Sequence, residues 1–254
     1  NEQLTAAGCL ELLDDIYTHL DEPMADGSLV PSFLMCRLAR NQATVALGGD
    51  GADELFAGYD PFKALSPARL YSKVVPKSLH GMITNLTGKI PVSHRNMSLD
   101  FKLKKFLSGL GYESNIRNPV WLGTLPPGHL SRLFGNPMDP EIVYAEAIAA
   151  WEASGAENDI DRTLQFYVEM YLQNNILTKM DRAGMLNSLE VRSPFLDIDL
   201  VNLVRTIPAE LKFNGRETKY ILKKALAKVL PVEILYRRKK GLEYPLVNGS
   251  RRVH

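Results

Sequence analysis

From Cys9 to Leu20 apolar side chains recur every three or four residues, the spacing of one face of an α-helix, and the pattern stops before Asp21-Glu22-Pro23. Leu4, Leu10, Leu13, Ile16 and Tyr17 keep the same spacing, so helix-like sequence begins almost at residue 1. Ser32 can cap a second helix reaching about Arg40. Thr44-Val45-Ala46-Leu47 is short, apolar and partly β-branched, and predicts a buried strand that runs into Gly48 and Gly49. Helical patterning resumes at Leu55 and Phe56. Further helices are expected at roughly 66–75, 78–89, 99–109, 140–154, 159–178, 180–187, 217–229 and 231–235. The glycines and prolines from Gly109 to Pro137 break every element in between, and this stretch reads as a connector with short helical turns. No repeat or low-complexity tract is present, so the pattern is that of a helix-rich chain with one convincing strand.

Composition narrows the function classes. With 254 residues, 45% hydrophobic and 23% charged, the chain is ordinary globular protein rather than disordered. Thirty Lys+Arg against 29 Asp+Glu leave a net charge of +1, so no global field favours nucleic acid or an anionic membrane, and any phosphate site must be local. No apolar run approaches the roughly 18–20 residues of a membrane span, and the first residues carry no export signal. Cys9 and Cys36 sit in apolar helical stretches without zinc-type spacing, which predicts buried thiols in a reducing, cytoplasmic setting. His19, His80, His94, His129 and His254 are scattered and give neither a metal cluster nor a triad. Both termini read as cut, as in a fragment of a longer chain.

The most informative segment is LGGDGADELFAGY, Leu47 to Tyr59. Asp50, Asp53 and Glu54 crowd behind a strand, an arrangement that is costly unless a cation, a basic residue or helix N-terminal amides compensate. Gly48, Gly49 and Gly51 let a ligand approach the backbone. Two readings stand: a ligand-binding strand-to-helix turn at the C-terminal end of a sheet, or Asp50 as cap of a helix starting near Ala52, with Asp53 and Glu54 complementing its dipole. EF-hand, Walker A and dinucleotide patterns are not satisfied.

This loop resembles the SGDGGDELFGGY or SGEGxDExFGGY segment of the asparagine synthetase family. LQNNILTKMDRAGMLNSLEVRSPFLDIDLVNLV, Leu172 to Val204, is similar to that family's LxxxxLxKxDRxSMxxSLExRxPFLD stretch. RETKYILKKAL (Arg216 to Leu226), LPVEILYRRKKG (Leu230 to Gly241) and Tyr244-Pro245-Leu246 follow in the family's order. The resemblance covers about Leu12 to Leu246 and is weakest in 60–160.

The resemblance implies ATP-dependent amide formation through an acyl-adenylate, most simply aspartate to asparagine, with ATP, Mg2+ and ammonia from glutamine. It implies that Asp53 holds Mg2+–pyrophosphate, that Asp50 serves acyl transfer, and that Lys219 stabilises charge on the α-phosphate. Gly48, Gly49, Gly51 and Lys239 fall to nucleotide binding. From the residues alone, the preferred reading of Lys219 is a solvated lysine among Lys223, Lys224 and Lys228, and that of Lys239 with Lys240 an exposed basic pair. Asp181-Arg182 and Glu190-Val191-Arg192 read as paired buried charges bracing the helices.

The implied fold is α/β: the helix-rich C-terminal part of an adenine nucleotide alpha-hydrolase-like (PP-loop ATP pyrophosphatase) fold, with one or two strands left. The family's SGGxDS phosphate loop and its N-terminal glutaminase domain do not occur in residues 1–254, which are expected to form a partial synthetase domain that by itself hardly binds ATP. Gly48 stands where the family usually has Ser. A synthetase-like amidotransferase for a specialised, β-lactam-synthetase-like substrate and a non-catalytic helical assembly module stay open beside the main reading. Exposed apolar edge surface suits a homodimer.

Overall fold

The computed structural model describes residues 6–24, 26–91, 93, 98–123, 125 and 127–237. They are largely helical, with two strands in one sheet. The chain divides into two compact units: Asn1–Ala52, Tyr171–Arg205 and Lys223–His254 form the first, Asp53–Met170 and Thr206–Leu222 the second.

In the first unit, β1 (Val45–Leu47) pairs in parallel with β2 (Glu190–Arg192), and backbone bonds Glu190 N to Thr44 O (2.9 Å) and Gly48 N to Arg192 O (2.7 Å) extend the ladder at both ends. Ala46 and Val191, which share a face, pack against a core of Cys9, Ile16, Leu29, Phe33, Ala183 and Leu189 from helices Ala6–Thr18, Leu29–Arg40 and Thr178–Met185 and the turn before β2. Alternation then sends Val45, Leu47, Glu190 and Arg192 to the opposite face. That face is open, and Leu47 is 74% exposed. The strand expected to be buried is therefore only partly buried, through one face, because a single helical layer covers it. Both cysteines are buried free thiols, and burial pushes the Cys36 thiol above its ordinary pKa.

Local capping differs from expectation. The second helix starts at Leu29, and Ser32 is buried inside it rather than capping it. Ser28, at its start, turns its hydroxyl to Asp26 instead (2.7 Å). The ion pairs expected to be buried are exposed: Arg192 meets Glu190 at 2.8 Å and Arg182 meets Asp21 at 2.7 Å and Asp181 at 3.1 Å. Exposed pairs of this kind contribute about 0–1 kcal/mol each.

The second unit contains helices Asp60–Val74, Lys77–Gly88, Leu99–Leu110 and Ala145–Ala153 among others. The Gly/Pro-rich stretch is more ordered than a connector, holding helices Ser114–Leu122 and Pro127–Phe134. Trp121 explains the first. Its indole lies over Gly109, where any side chain would overlap it, and its Nε1 donates to Phe106 O at 3.1 Å. The buried ring joins Ala68, Leu107 and Leu110 in a core, so burial of one large aromatic outweighs the local breakers. The run expected as one helix over 159–178 is α-helical at Asp159–Phe166 and π-helical at Tyr167–Leu177. Among the described residues no helix is long and apolar enough to cross a membrane.

Candidate functional site

The acidic loop is shared between the units: Gly48, Gly49, Asp50 and Gly51 belong to the first, Asp53 and Glu54 to the second. In the first unit, Gly48 ends β1 with its amide bound into the ladder. A Cβ there would stand 3.3 Å from Asp50 Oδ2 and from Val191 Cγ1 and 3.7 Å from Ser193 Oγ, so a serine at this position would require its neighbours to yield by a few tenths of an ångström. Gly51 has φ +89°, which favours glycine, and a side chain on it would also run into Leu196. Around Gly49 there is open space. Burial raises the Asp50 carboxyl above its ordinary pKa, and the positive charge of Lys179 opposes the rise.

Lys179 is a residue the motif contained but sequence reasoning did not single out. It is buried, with its ammonium 2.9 Å from Asp26 Oδ2 and 2.7 Å from Ser28 Oγ. Asp26 also accepts from Ser28 N (2.8 Å) and Asn175 Nδ2 (3.3 Å). Burial pushes the Asp26 carboxyl up, but the hydrogen bonds from Ser28 and Lys179 and the Lys179 charge outweigh it and hold its pKa below the ordinary value.

In the second unit, Asp53 and Glu54 do not act as one cluster. Glu54 turns inward, 2% exposed, and accepts a hydrogen bond from Tyr59, whose ring stacks on Tyr167 at 4.8 Å. Asp53 instead faces Lys219, with Nζ 3.0 Å from Oδ1 and both side chains about a quarter exposed. Residues far apart in the chain are thus brought together. Lys219 lies just before the helix Tyr220–Leu226 rather than within it, and its φ is +55°. Its amide donates to Phe56 O at 3.0 Å. A non-glycine residue in this left-handed region costs roughly 1–2 kcal/mol, and such strain concentrates where function requires it.

The backbone behind Asp53 is closed by a Schellman motif. Helix Ala52–Leu55 ends with Ala57 at φ +53°, and Gly58 N reaches back to Asp53 O at 2.8 Å. Ala57 occupies the left-handed position that glycine normally takes, and the family pattern has glycine here. Replacing Ala57 by Gly is expected to raise stability by about 1 kcal/mol, read as a melting-temperature gain of roughly 2–4 °C. An unchanged or lower melting temperature contradicts this account of the turn.

Among the described residues no group of three or more His, Cys, Asp or Glu side chains converges to hold a metal. Asp53 is a single carboxylate beside an ammonium. That donor set fits Mg2+, which takes one or two protein carboxylates and completes its shell with water and substrate phosphates. Lys239 lies outside the described residues, as do Lys240, His94 and Tyr244-Pro245-Leu246.

A profile of the asparagine synthase family matches residues 1–252. The chain belongs to the asparagine synthase family. It is 30% identical over 235 residues to glutamine-hydrolysing asparagine synthetase 1 of Bacillus subtilis, covering 92% of this chain and 36% of that protein. A Mycobacterium bovis protein, provisionally named for the same activity, is 34% identical over 236 residues, 92% of this chain and 35% of the relative. A more distant relative within the family's reach is the amidase chry2 of Gibberella zeae, 26% identical over 247 residues, 83% of this chain and 34% of that protein. The chain spans about a third of the length of these curated relatives. No solved structure matches it.

Proposed function

We propose that this chain is part of an ATP-dependent ligase that converts a carboxylate, in the first instance the β-carboxylate of aspartate, into its amide. The observation that carries this reading is the Asp53–Lys219 pair, a carboxylate and an ammonium 3.0 Å apart beside two left-handed backbone positions. In the first step a carboxylate oxygen attacks the α-phosphorus of ATP, the bond to the bridging oxygen breaks, and pyrophosphate leaves. In the second, ammonia derived from glutamine attacks the acyl carbon, gives up a proton, and AMP departs with the electrons of the C–O bond.

Each residue has a role consistent with its surroundings. Lys219 offsets charge gathering on the α-phosphate, a contribution that grows in a partly shielded setting. Asp53 would hold Mg2+ accompanying pyrophosphate, which when bound would supply charge neutralisation for the leaving group. Gly48, Gly49 and Gly51 let phosphate approach the backbone. Asp50, whose burial favours a bound proton, takes or organises the proton of the attacking amine. A helix-start role gives Asp50 no need for burial.

The test uses the full-length protein and compares Asp50→Asn with the unmodified enzyme. Amide formation should fall by about 100-fold or more, while aspartate-dependent exchange of pyrophosphate into ATP persists. Stability should move the other way. Because the folded-state pKa of Asp50 is raised, its charged form opposes folding above the unfolded carboxylate value of about 3.9. Asp50→Asn therefore melts higher at neutral pH, and the gain disappears as pH falls below that value. A variant with full amide-forming activity and a lower melting temperature returns Asp50 to a purely structural role.

A further inference from the structure

Gly58 lies at the crossing of the Asp53 carboxylate and the Lys219 stem. A Cβ built on it would overlap Asp53 Oδ1 and Lys219 Cε and stand 2.8 Å from Asp53 Cγ. Its φ is not in the left-handed range, in contrast to Gly51 and Gly215. The backbone at 58 is therefore open to any residue, and what excludes a side chain is the ion pair itself. Nor can the backbone easily move aside to make room. Gly58 N is tied to Asp53 O at 2.8 Å, and Lys219 N to Phe56 O at 3.0 Å, so both partners are anchored by the same short turn that carries Gly58.

We propose that Gly58 is a positioning residue for the Asp53–Lys219 pair: its missing side chain is the space in which the carboxylate and the ammonium meet at 3.0 Å. Its importance for catalysis rests on the function proposed above, whereas its effect on the pair does not. An added methyl displaces the ends of two side chains while leaving backbone geometry permissible, so it acts on alignment before it acts on folding. Displacements of about 1 Å at reacting groups can cost up to about 100-fold in rate.

The experiment is Gly58→Ala in the full-length protein, with Gly81→Ala as a control, because a methyl on Gly81 meets nothing within 4 Å. The first readout needs no nucleotide or metal. The rate at which an amine-reactive acylating reagent labels Lys219, measured by peptide mass spectrometry against the other lysines, should rise several-fold in Gly58→Ala and stay unchanged in Gly81→Ala. The second is a kinetic cycle. Gly58→Ala should lower kcat for pyrophosphate release between about 10- and 100-fold in the unmodified protein, and by much less in a Lys219→Met background, because contacting residues are not additive.

Unchanged labelling of Lys219 overturns the proposal, as does an equal kcat loss in both backgrounds. If Lys219→Met itself leaves pyrophosphate release intact, the functional reading of the pair falls, and the labelling result alone decides for Gly58. A thermal cycle covers the case of poor folding. Gly58→Ala should lower the melting temperature of the unmodified protein more than that of Asp53→Ala, which vacates the carboxylate's part of the overlapped space and lets the Lys219 stem move into it; equal losses in both count against the proposal.

Discussion

Lys219→Met in the full-length protein is expected to lower aspartate-dependent pyrophosphate release by about 100- to 1,000-fold. Methionine keeps the apolar stem and removes the charge, so the substitution isolates electrostatics. The ammonium lies 3.0 Å from Asp53 and is about a quarter exposed, where its field is less screened than at an open surface. A charge that acts on a developing phosphate oxyanion lowers the transition state more than the ground state. The loss should therefore fall on kcat, with KM for ATP changed far less. A lysine held only for structure predicts the opposite, a lower melting temperature with kcat retained. A kcat within about threefold of the unmodified protein's refutes the role, since removing a single such donor ordinarily costs about two orders of magnitude.

What the sequence made legible followed from local pattern. Long helices such as Leu99–Leu110 and Lys77–Gly88 carry their own periodicity, and they lie close to the expected spans. β2 was not legible, because Glu190–Arg192 is three residues long and becomes a strand only through pairing with distant β1. Helix Ser114–Leu122 was hidden for a related reason: Pro119 and the surrounding glycines signal breakage, while the compensating Trp121–Gly109 contact is tertiary. In the acidic loop, the crowding of Asp50, Asp53 and Glu54 called for compensation by a cation, a basic residue or helix amides. Side-chain direction sorts them, sending Glu54 into the interior toward Tyr59 and Asp53 toward the basic Lys219. No spacing rule links residue 53 to residue 219; the resemblance pointed to both, and the fold brings them into contact. Lys179 went unnoticed because an isolated lysine in a polar helix segment carries no sign of burial.

Lys179→Met is expected to destabilise the protein by about 3–5 kcal/mol, the range for stripping one partner from a buried ion pair. For a domain of this size that corresponds to a fall in melting temperature on the order of 10 °C. The Lys179 side chain is 8% exposed and that of Asp26 19%, so solvent cannot replace the lost ammonium. Asp26 would keep Ser28 and Asn175 as donors, but its charge would be uncompensated. Two consequences separate this from simple loss of packing. Adding Asp26→Asn to Lys179→Met should restore most of the stability, because no unpaired charge then remains. The effect should also depend on pH. The Asp26 carboxyl is held below its ordinary pKa in the folded protein, so its stabilisation is present above the unfolded value of about 3.9 and is lost as pH falls through the lower folded value. Lys179→Met removes part of what holds that pKa down. Its penalty is therefore greatest at neutral pH and shrinks on acidification, as protonation neutralises Asp26. A penalty of the same size at neutral and acid pH, unrelieved by Asp26→Asn, assigns Lys179 to packing alone.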